Sequence, residues 1–258
     1  MTSPVQNKTL GVITGASRGF GLSFALTLSN RLADNLHLHL LSRSPPPPTL
    51  TDALSSNGTT FCHHKIDLAD LDQLETSITS ILTEAKAKTK SDNITNHILL
   101  NNAGSLGVLS PLSSTTIKSI SENVNFNLIS SSYISATFST SFPTSTIINV
   151  SSLAALEPFK TWGLYCTCKS ARSMYHKSLA LECPSLRVLN YAPGAMDTDM
   201  QGVIRGSEGC DEEVREYFMK SKEEGTLVDP LASASKLTDI ILDKEFKSGA
   251  HIDYWDEI

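Results

Sequence analysis

Short apolar runs with the length and composition of β-strands alternate along this chain with longer amphipathic stretches that are typical of helices. Such alternation indicates a parallel sheet whose strands are buried between helices. The apolar runs, which we interpret as strands, span residues 9–14, 36–42, 59–66, 96–101, 146–151 and 187–192. We therefore predict an α/β protein with a parallel sheet and helices on both faces.

The stretches between these runs predict helices over 22–33, 70–88, 115–140 and 165–182. Four prolines, Pro45–Pro48, stand where another helix would normally begin, and we interpret them as a loop of the polyproline type. Residues 194–225 are polar, charged and interrupted by glycines, and they follow a strand end. We predict that this segment is a lid over a ligand crevice. An exposed helical excursion without a catalytic role is the alternative.

Composition and charge narrow the class of protein. The 258 residues are 40% hydrophobic and 19% charged, as in soluble globular proteins, and we expect a single domain over 1–258. The net charge of −6 argues against nucleic-acid and membrane partners. No apolar stretch is long enough to span a bilayer, and the polar start Met1–Lys8 lacks a signal-peptide core. Five cysteines, an odd number, favour a reducing compartment, so we expect a cytoplasmic protein.

A glycine-rich turn connects the first strand to the first helix through Gly15, Gly19 and Gly21. Gly15 suits a tight turn, Gly19 lets the backbone approach a pyrophosphate, and Gly21 lets the helix pack closely on the strand. The N–H groups at the helix start would then bind the phosphates. These features predict a dinucleotide site in a single-domain, Rossmann-type doubly wound fold. An ordinary glycine-rich turn is the alternative.

The end of the second strand indicates which dinucleotide is bound. Ser42 and Arg43 stand where an NAD site usually has an acidic residue, and an arginine there suits the 2′-phosphate of NADP(H). Arg18 in the glycine turn is a second candidate cation, while an Arg43 that merely lies in solvent is the alternative. His37 and His39 fall on one face of the strand. We interpret them as structural and expect no metal, because two histidines alone are weak evidence for one.

Three residues have the chemistry of carbonyl reduction. Tyr165 and Lys169 stand four residues apart, about one helical turn, so both head groups can address one point. The lysine ammonium is expected to lower the pKa of the phenol from its ordinary value of about 10. Ser152, thirteen residues before Tyr165, could hold a carbonyl oxygen against that phenol. A Tyr–Lys pair at this spacing is weak evidence by itself, and the glycine turn strengthens it.

Together these motifs resemble the short-chain dehydrogenase/reductase family over nearly the whole chain. The residues that carry the resemblance are Thr14–Gly21, Asn101–Gly104, Ser152, Tyr165 and Lys169. It implies that Asn127 helps to link the lysine to solvent through water, the alternative being a polar residue that kinks the helix. It also implies a set of cofactor contacts: Gly15, Ala16, Ser17, Arg18, Gly19, Phe20, Gly21, Ser42, Arg43, Asp67, Leu68, Asn101, Ala103, Gly104, Lys169, Met196, Asp197, Thr198, Asp199, Met200 and Gln201.

Further segments, 151–160, 187–194, 197–200 and 245–253, resemble the members of this family that reduce pterins. That resemblance implies NADPH-dependent reduction of pterin side-chain carbonyls (sepiapterin, 6-pyruvoyl-tetrahydropterin) in tetrahydrobiopterin synthesis. Asp253 would anchor the ring by accepting two hydrogen bonds, unless it is a solvated surface carboxylate. The expected substrate contacts are Ser152, Leu153, Tyr165, Gly194 and Asp253.

Two alternatives to pterin reduction stay open, and one expectation concerns assembly. The chain could be an NADPH-dependent carbonyl or diketone reductase of the same fold. A cofactor-binding regulatory protein without turnover is less favoured, because such a protein has no need for Ser152, Tyr165 and Lys169 together. The family commonly pairs the long helices after the fourth and fifth strands across a two-fold axis, so we expect a homodimer, with a tetramer of two such dimers as the alternative.

Overall fold

The structure, a computed structural model, describes residues 7–258 and contains a seven-stranded sheet in that range. The strands are β1 Thr9–Thr14, β2 Leu36–Ser42, β3 Thr60–Lys65, β4 Asn96–Asn101, β5 Thr146–Val150, β6 Arg187–Ala192 and β7 Ala250–Asp253. The helices are α1 Gly19–Leu32, α2 Pro48–Ser56, α3 Leu71–Asp92, α4 Ile117–Val124, α5 Ser130–Ser141, α6 Gly163–Glu182, α7 Asp199–Gly206, α8 Glu212–Glu223 and α9 Pro230–Asp243.

All neighbouring strands pair in parallel, in the order β3-β2-β1-β4-β5-β6-β7. The order reverses between β1 and β4, and a crevice at the carboxyl ends of the strands is the ligand site of such a sheet. The predicted single-domain Rossmann-type fold with a doubly wound parallel sheet is therefore confirmed. Among residues 7–258 no helix is long and apolar enough to cross a membrane.

Apolar layers cover both faces of the sheet. One layer joins α1 and α9 to the sheet through residues such as Phe24, Leu28 and Leu237. The other layer packs α3, α5 and α6 on the opposite face, with Ile78 and Phe138 at its centre. Burial on both faces explains why β1, β2, β4 and β6 have the bounds that their apolar runs predicted.

The proline run ends in a helix, so the interpretation of Pro45–Pro48 as a loop was wrong at its last residue. Pro47 has polyproline angles (φ −68°, ψ 154°), and Pro48 is the first residue of α2. Proline suits this position because its fixed φ is compatible with a helix and its missing N–H would have no helical partner there.

The helix expected over 115–140 is interrupted at its centre. α4 and α5 are joined by a π-helical turn, Asn125–Ile129, in which Asn127 is buried. Such turns often occur at functional sites. The predicted lid contains two helices, α7 and α8, whereas α9 and β7 had no counterpart among the predicted elements.

Candidate active site

The glycine turn has the backbone shape that a pyrophosphate needs. Gly15 and Gly19 have positive φ angles of 69° and 54°, which side chains disfavour. A Cβ on Gly21 would lie 2.8 Å from the Asn102 amide nitrogen and would collide with the backbone of Gly15. At the start of α1, no side chain caps the first N–H groups, since Arg18 is the N-cap residue and gives no cap bond. These free donors fit a bound dinucleotide phosphate.

Asn102 holds this turn in place, although the sequence analysis gave it no role. Its amide nitrogen donates to the carbonyl oxygens of Thr14 (2.9 Å) and Gly15 (3.3 Å). The Thr14 hydroxyl accepts from the backbone N–H groups of Asn102 and Ala103, both at 2.9 Å. The loops after β1 and β4 are therefore one hydrogen-bonded unit, and Ala16 and Phe20 are buried beneath it.

The side chain of Asn101 has a structural contact instead of facing the crevice. Its amide donates to the Ser131 carbonyl oxygen (2.7 Å) and the Ser135 hydroxyl (3.0 Å) of α5. Ala103 and Gly104 follow it along the loop. A Cβ on Gly104 would approach the Asn127 side-chain oxygen to 3.4 Å, so the loop runs directly over the π-helical turn.

Arg43 is exposed at the carboxyl end of β2, and its guanidinium has no ion-pair or hydrogen-bond partner within residues 7–258. The neighbouring Ser42 hydroxyl donates to the Ser44 carbonyl oxygen (2.7 Å). At the end of the next strand, the Asp67 carboxylate accepts from the Ala69 backbone N–H (3.0 Å), and Leu68 is buried in the core. Arg43 is thus a cation at the crevice edge that no protein carboxylate neutralises.

Ser152, Tyr165 and Lys169 meet where β5 faces α6. Tyr165 and Lys169 are 5% and 3% exposed, and the lysine Nζ lies 5.5 Å from the tyrosine ring centroid. The same Nζ donates to the Val150 carbonyl oxygen (2.7 Å) at the end of β5. Ser152 follows that strand end, and its hydroxyl accepts from the Ala154 backbone N–H (3.1 Å).

The pKa of Tyr165 differs from the expected one. Burial raises the pKa of Tyr165 to about 12, against the opposing effects of the Arg172 charge and of a hydrogen bond with Ser152. The expectation that Lys169 would lower it was wrong, because the cost of burying a phenolate is the larger effect. Burial, followed by the nearby Arg172 charge, places the pKa of Lys169 itself well below its ordinary value. The phenol is therefore fully protonated at neutral pH and can serve as an acid.

The predicted lid, residues 194–225, is attached to the rest of the chain by ion pairs and aromatic contacts. Asp199 at the start of α7 pairs with Arg18 of the glycine turn (3.2 Å), and Lys222 of α8 pairs with Asp197. Phe218 of α8 stacks on Trp162, with ring centroids 5.7 Å apart.

The other predicted lid residues lie near these contacts. Thr198 lies close to the glycine turn, since its methyl would be 3.5 Å from a Cβ on Gly19. Met196 forms an isolated parallel β-bridge with Val228, and Gln201 is buried. Met200 packs on the apolar cluster that contains Trp162 and Tyr165.

Asp253 is the last residue of β7 and pairs with Ala192 of β6 in the sheet register. Its carboxylate accepts from the Trp255 backbone N–H (3.1 Å) and remains partly exposed. Gly194, with φ 79°, follows β6, and a Cβ there would collide with Val228 at 2.8 Å. Because all strands are parallel, Asp253 and Gly194 lie at the same sheet edge as Ser152. Leu153, next to Ser152, is largely exposed.

Comparison with known proteins agrees with this geometry. The sequence profile of the short-chain dehydrogenases matches residues 10–209. The chain belongs to the short-chain dehydrogenase family. It is 38% identical to the sepiapterin reductase of Meriones unguiculatus over 255 residues, covering 95% of each chain. It is 37% identical to that of Xenopus tropicalis over 260 residues, covering 96% of each. A benzil reductase ((S)-benzoin forming) of Bacillus cereus is 29% identical over 246 residues, covering 92% of this chain and 96% of that protein.

Solved structures of dehydrogenases share the fold. A short-chain dehydrogenase/reductase of Saccharomyces cerevisiae superimposes with a TM-score of 0.81 at 24% identity, covering 97% of each chain. An NAD⁺-bound xylitol dehydrogenase gives a TM-score of 0.78 at 18% identity, covering 97% of this chain and 98% of that one. Membership of the family makes this chain an oxidoreductase that acts on C=O or CH–OH groups with NADP(H), as the motifs predicted.

This dehydrogenase has a buried cation that the sequence analysis missed. Arg172 is fully buried on α6, one turn beyond Lys169. Its guanidinium donates to the Asn149 side-chain oxygen (2.9 Å) and to the carbonyl oxygens of Asn101 (2.7 Å) and Ala103 (3.0 Å). Arg172 therefore ties α6 to β5 and to the loop after β4. The sequence contained a signal for this buried cation, because Arg172 falls on the same helix face as Lys169.

Asn127 lies below the same loop. Its oxygen accepts from the Ser105 backbone N–H (2.9 Å), and its amide nitrogen donates to the Ser105 carbonyl oxygen (2.8 Å) and to the Asn123 side chain (2.9 Å). These bonds give Asn127 a direct part in shaping the loop after β4.

Proposed function

We propose that this protein reduces the side-chain carbonyl of pterins such as sepiapterin and 6-pyruvoyl-tetrahydropterin with NADPH, as in tetrahydrobiopterin synthesis. The observation that carries the proposal is the position of Asp253, a partly exposed carboxylate at the same sheet edge as Ser152. Identity of 36–38% to six sepiapterin reductases over nearly the whole chain supports it. A carboxylate can accept two parallel hydrogen bonds from a pterin N–H and its exocyclic amine.

The reaction divides into hydride delivery and proton delivery. Bound NADPH supplies the hydride. The Ser152 hydroxyl and the Tyr165 phenol would hold the substrate oxygen, and the phenol, which burial keeps protonated, would donate its proton to that oxygen as charge develops there. Lys169 would hydrogen-bond the ribose of the cofactor, as in the family that the chain belongs to. Its Nζ donates to the Val150 carbonyl oxygen and lies 5.5 Å from the centroid of the Tyr165 ring.

Arg43 is our proposed partner for the 2′-phosphate of NADPH. Its guanidinium has no protein partner within residues 7–258, whereas Arg18 is paired with Asp199. The uncapped start of α1 fits the pyrophosphate. The predicted lid would then exclude water, because Phe218 of α8 belongs to the apolar cluster that contains Trp162 and Tyr165.

A diketone reductase is the second candidate, favoured by the two benzil reductases at 29% and 30% identity. A non-catalytic NADPH-binding protein is disfavoured by the assembled Ser152, Tyr165 and Lys169. The deciding assay is NADPH oxidation with sepiapterin and, in parallel, with a small diketone, with NADH as the control cofactor. If the protein is a pterin reductase, its kcat/KM should be higher for sepiapterin than for the diketone. Its activity should also be higher with NADPH than with NADH.

Replacing Asp253 by asparagine should selectively lower kcat/KM for sepiapterin by about 30-fold, or roughly 2 kcal/mol, because one acceptor oxygen becomes a donor and the charge is lost. Diketone reduction should stay within about twofold, since a diketone has no pterin ring. Glu257→Gln, an exposed carboxylate four residues on, is the matched control. An equal loss with both substrates, or with neither, would remove Asp253 from the pterin site.

We also propose that the protein is a cytoplasmic homodimer without nucleic-acid or membrane partners. All five cysteines are free, which supports a reducing compartment. Cell fractionation can check the cytoplasmic location.

Exposed apolar side chains support the homodimer. Large ones lie on α4 and α6, where Ile117 is 84% and Leu181 83% accessible. Light scattering at micromolar concentration should give about twice the chain mass of 27.9 kDa. A mass equal to one chain contradicts the dimer.

A further inference from the structure

A cluster of metal-binding side chains lies under α3, away from the catalytic residues. His39 on β2, His64 on β3 and Glu84 on α3 each offer one ligand atom, and all three atoms lie within 4.8 Å of one another. The strands β1 and β4 separate this cluster from β5, which leads to Ser152. The carbonyl-reduction mechanism uses none of these side chains.

The fold brings the three residues together from distant parts of the sequence. In the β2–β3 register, His39 faces Cys62, and His64 lies two residues further along β3 on the same face. The Nδ1 atom of His39 and the Nε2 atom of His64 are 2.8 Å apart, and the two rings are nearly parallel. Glu84 reaches the pair from α3, which covers this face of the sheet.

His39 is the most buried member of the cluster. Its ring is 0% exposed, and Nδ1 is the ring nitrogen that meets His64, whereas Nε2 is buried without a hydrogen-bond partner in the described part of the chain.

The donor set and its dimensions suit zinc. Zinc binds imidazole nitrogen at about 2.0–2.1 Å and carboxylate oxygen at about 2.0–2.2 Å, so two ligand atoms on one tetrahedral ion stand about 3.3 Å apart. To reach this spacing, the two histidine nitrogens, now 2.8 Å apart, would have to separate by about 0.5 Å. The two ligand atoms that are farthest apart lie within 4.8 Å, so they would have to approach each other by at most about 1.5 Å. Rotation of the exposed Glu84 side chain can supply that movement, and its exposure gives the ion a path in.

We propose that His39, His64 and Glu84 form a zinc-binding site that joins β2, the edge strand β3 and α3. Two imidazoles and a carboxylate leave the fourth position of a tetrahedral ion to water. The ion would cross-link an edge strand whose residues are mostly half-buried to the helix that covers it, so its effect is on stability and not on carbonyl reduction.

The test uses the untagged full chain, stripped with a chelator and titrated with Zn²⁺ in a calorimeter. We expect one ion per chain, with a dissociation constant in the micromolar range or below, and a higher melting temperature with zinc. His64→Gln should weaken binding at least about tenfold and abolish the melting shift, and Glu84→Gln should also weaken it. These two side chains are more exposed than His39, so their variants should fold.

His63→Gln is the matched control, because His63 precedes His64 on the same strand but faces the other side of the sheet, where it contacts Ser42 (3.1 Å). Its zinc affinity should stay within about twofold of the unchanged chain. Absence of saturable one-to-one binding would overturn the proposal, as would equal weakening by His63→Gln and His64→Gln. The zinc titration and the melting temperature use neither substrate nor cofactor. Their results therefore test the zinc site independently of the proposed reductase activity.

Discussion

Replacing Tyr165 by phenylalanine should lower kcat for carbonyl reduction by about a thousandfold or more while NADPH affinity stays within about twofold. The substitution removes the proposed proton donor and leaves the ring that packs on Trp162, with centroids 6.0 Å apart. Because burial keeps this phenol protonated, it is an acid that is always in the competent form at neutral pH. Steady-state kinetics and a fluorescence titration with NADPH measure the two quantities.

Tyr175→Phe on the same helix is the control for this substitution. Its hydroxyl donates to the Ser132 carbonyl oxygen (3.1 Å) and lies outside the catalytic trio. Loss of that bond should cost about 1 kcal/mol of stability and leave turnover nearly unchanged. Near-normal turnover in Tyr165→Phe would transfer the acid role to another residue.

Replacing Arg172 by methionine should lower the free energy of unfolding by about 3 kcal/mol or more, since each buried acceptor left unpaired costs about 1–3 kcal/mol. The guanidinium is bonded by three acceptors, on Asn101, Ala103 and Asn149, and the methionine can bond none of them. For a chain of this size, that loss corresponds to a melting temperature lower by roughly 10 °C. Urea unfolding and thermal melting both measure it.

The control for Arg172 is Arg215→Met on α8, an arginine that forms no ion pair within residues 7–258. Its substitution should change stability by less than about 0.5 kcal/mol, as is usual away from buried networks. Arg172→Lys should recover only part of the loss, because a single ammonium cannot match the planar guanidinium at three acceptors. A melting temperature unchanged in Arg172→Met would contradict the assigned role.

Local patterns predicted the sheet well because each inner strand is an apolar run buried on both faces. The helix starts were harder to predict. Glycine and proline usually interrupt helices, yet α1 begins at Gly19 and α2 begins at Pro48. Pro48 suits a first helical position because its missing N–H would have no helical partner there. Gly19 has a φ of 54°, which residues with a side chain disfavour.

The lid shows a different limit of pattern analysis. The residues of α8 are largely charged, and both α7 and α8 are held by contacts with distant parts of the chain. Phe218 stacks on Trp162, and Asp199 pairs with Arg18, 181 residues away in sequence. Helices of this length are marginal alone in water, so tertiary contacts decide whether they form.

The fold class, the glycine turn and the trio of Ser152, Tyr165 and Lys169 could be predicted from the amino-acid sequence, because they depend on residue types at short, regular spacings. The direction of the Asn101 side chain, the raised pKa of Tyr165 and the contact of His39 with His64 depend on the folded chain. Each of these depends on which distant elements cover a residue. Burial and hydrogen-bond partners are properties of that packing, and no local pattern contains them.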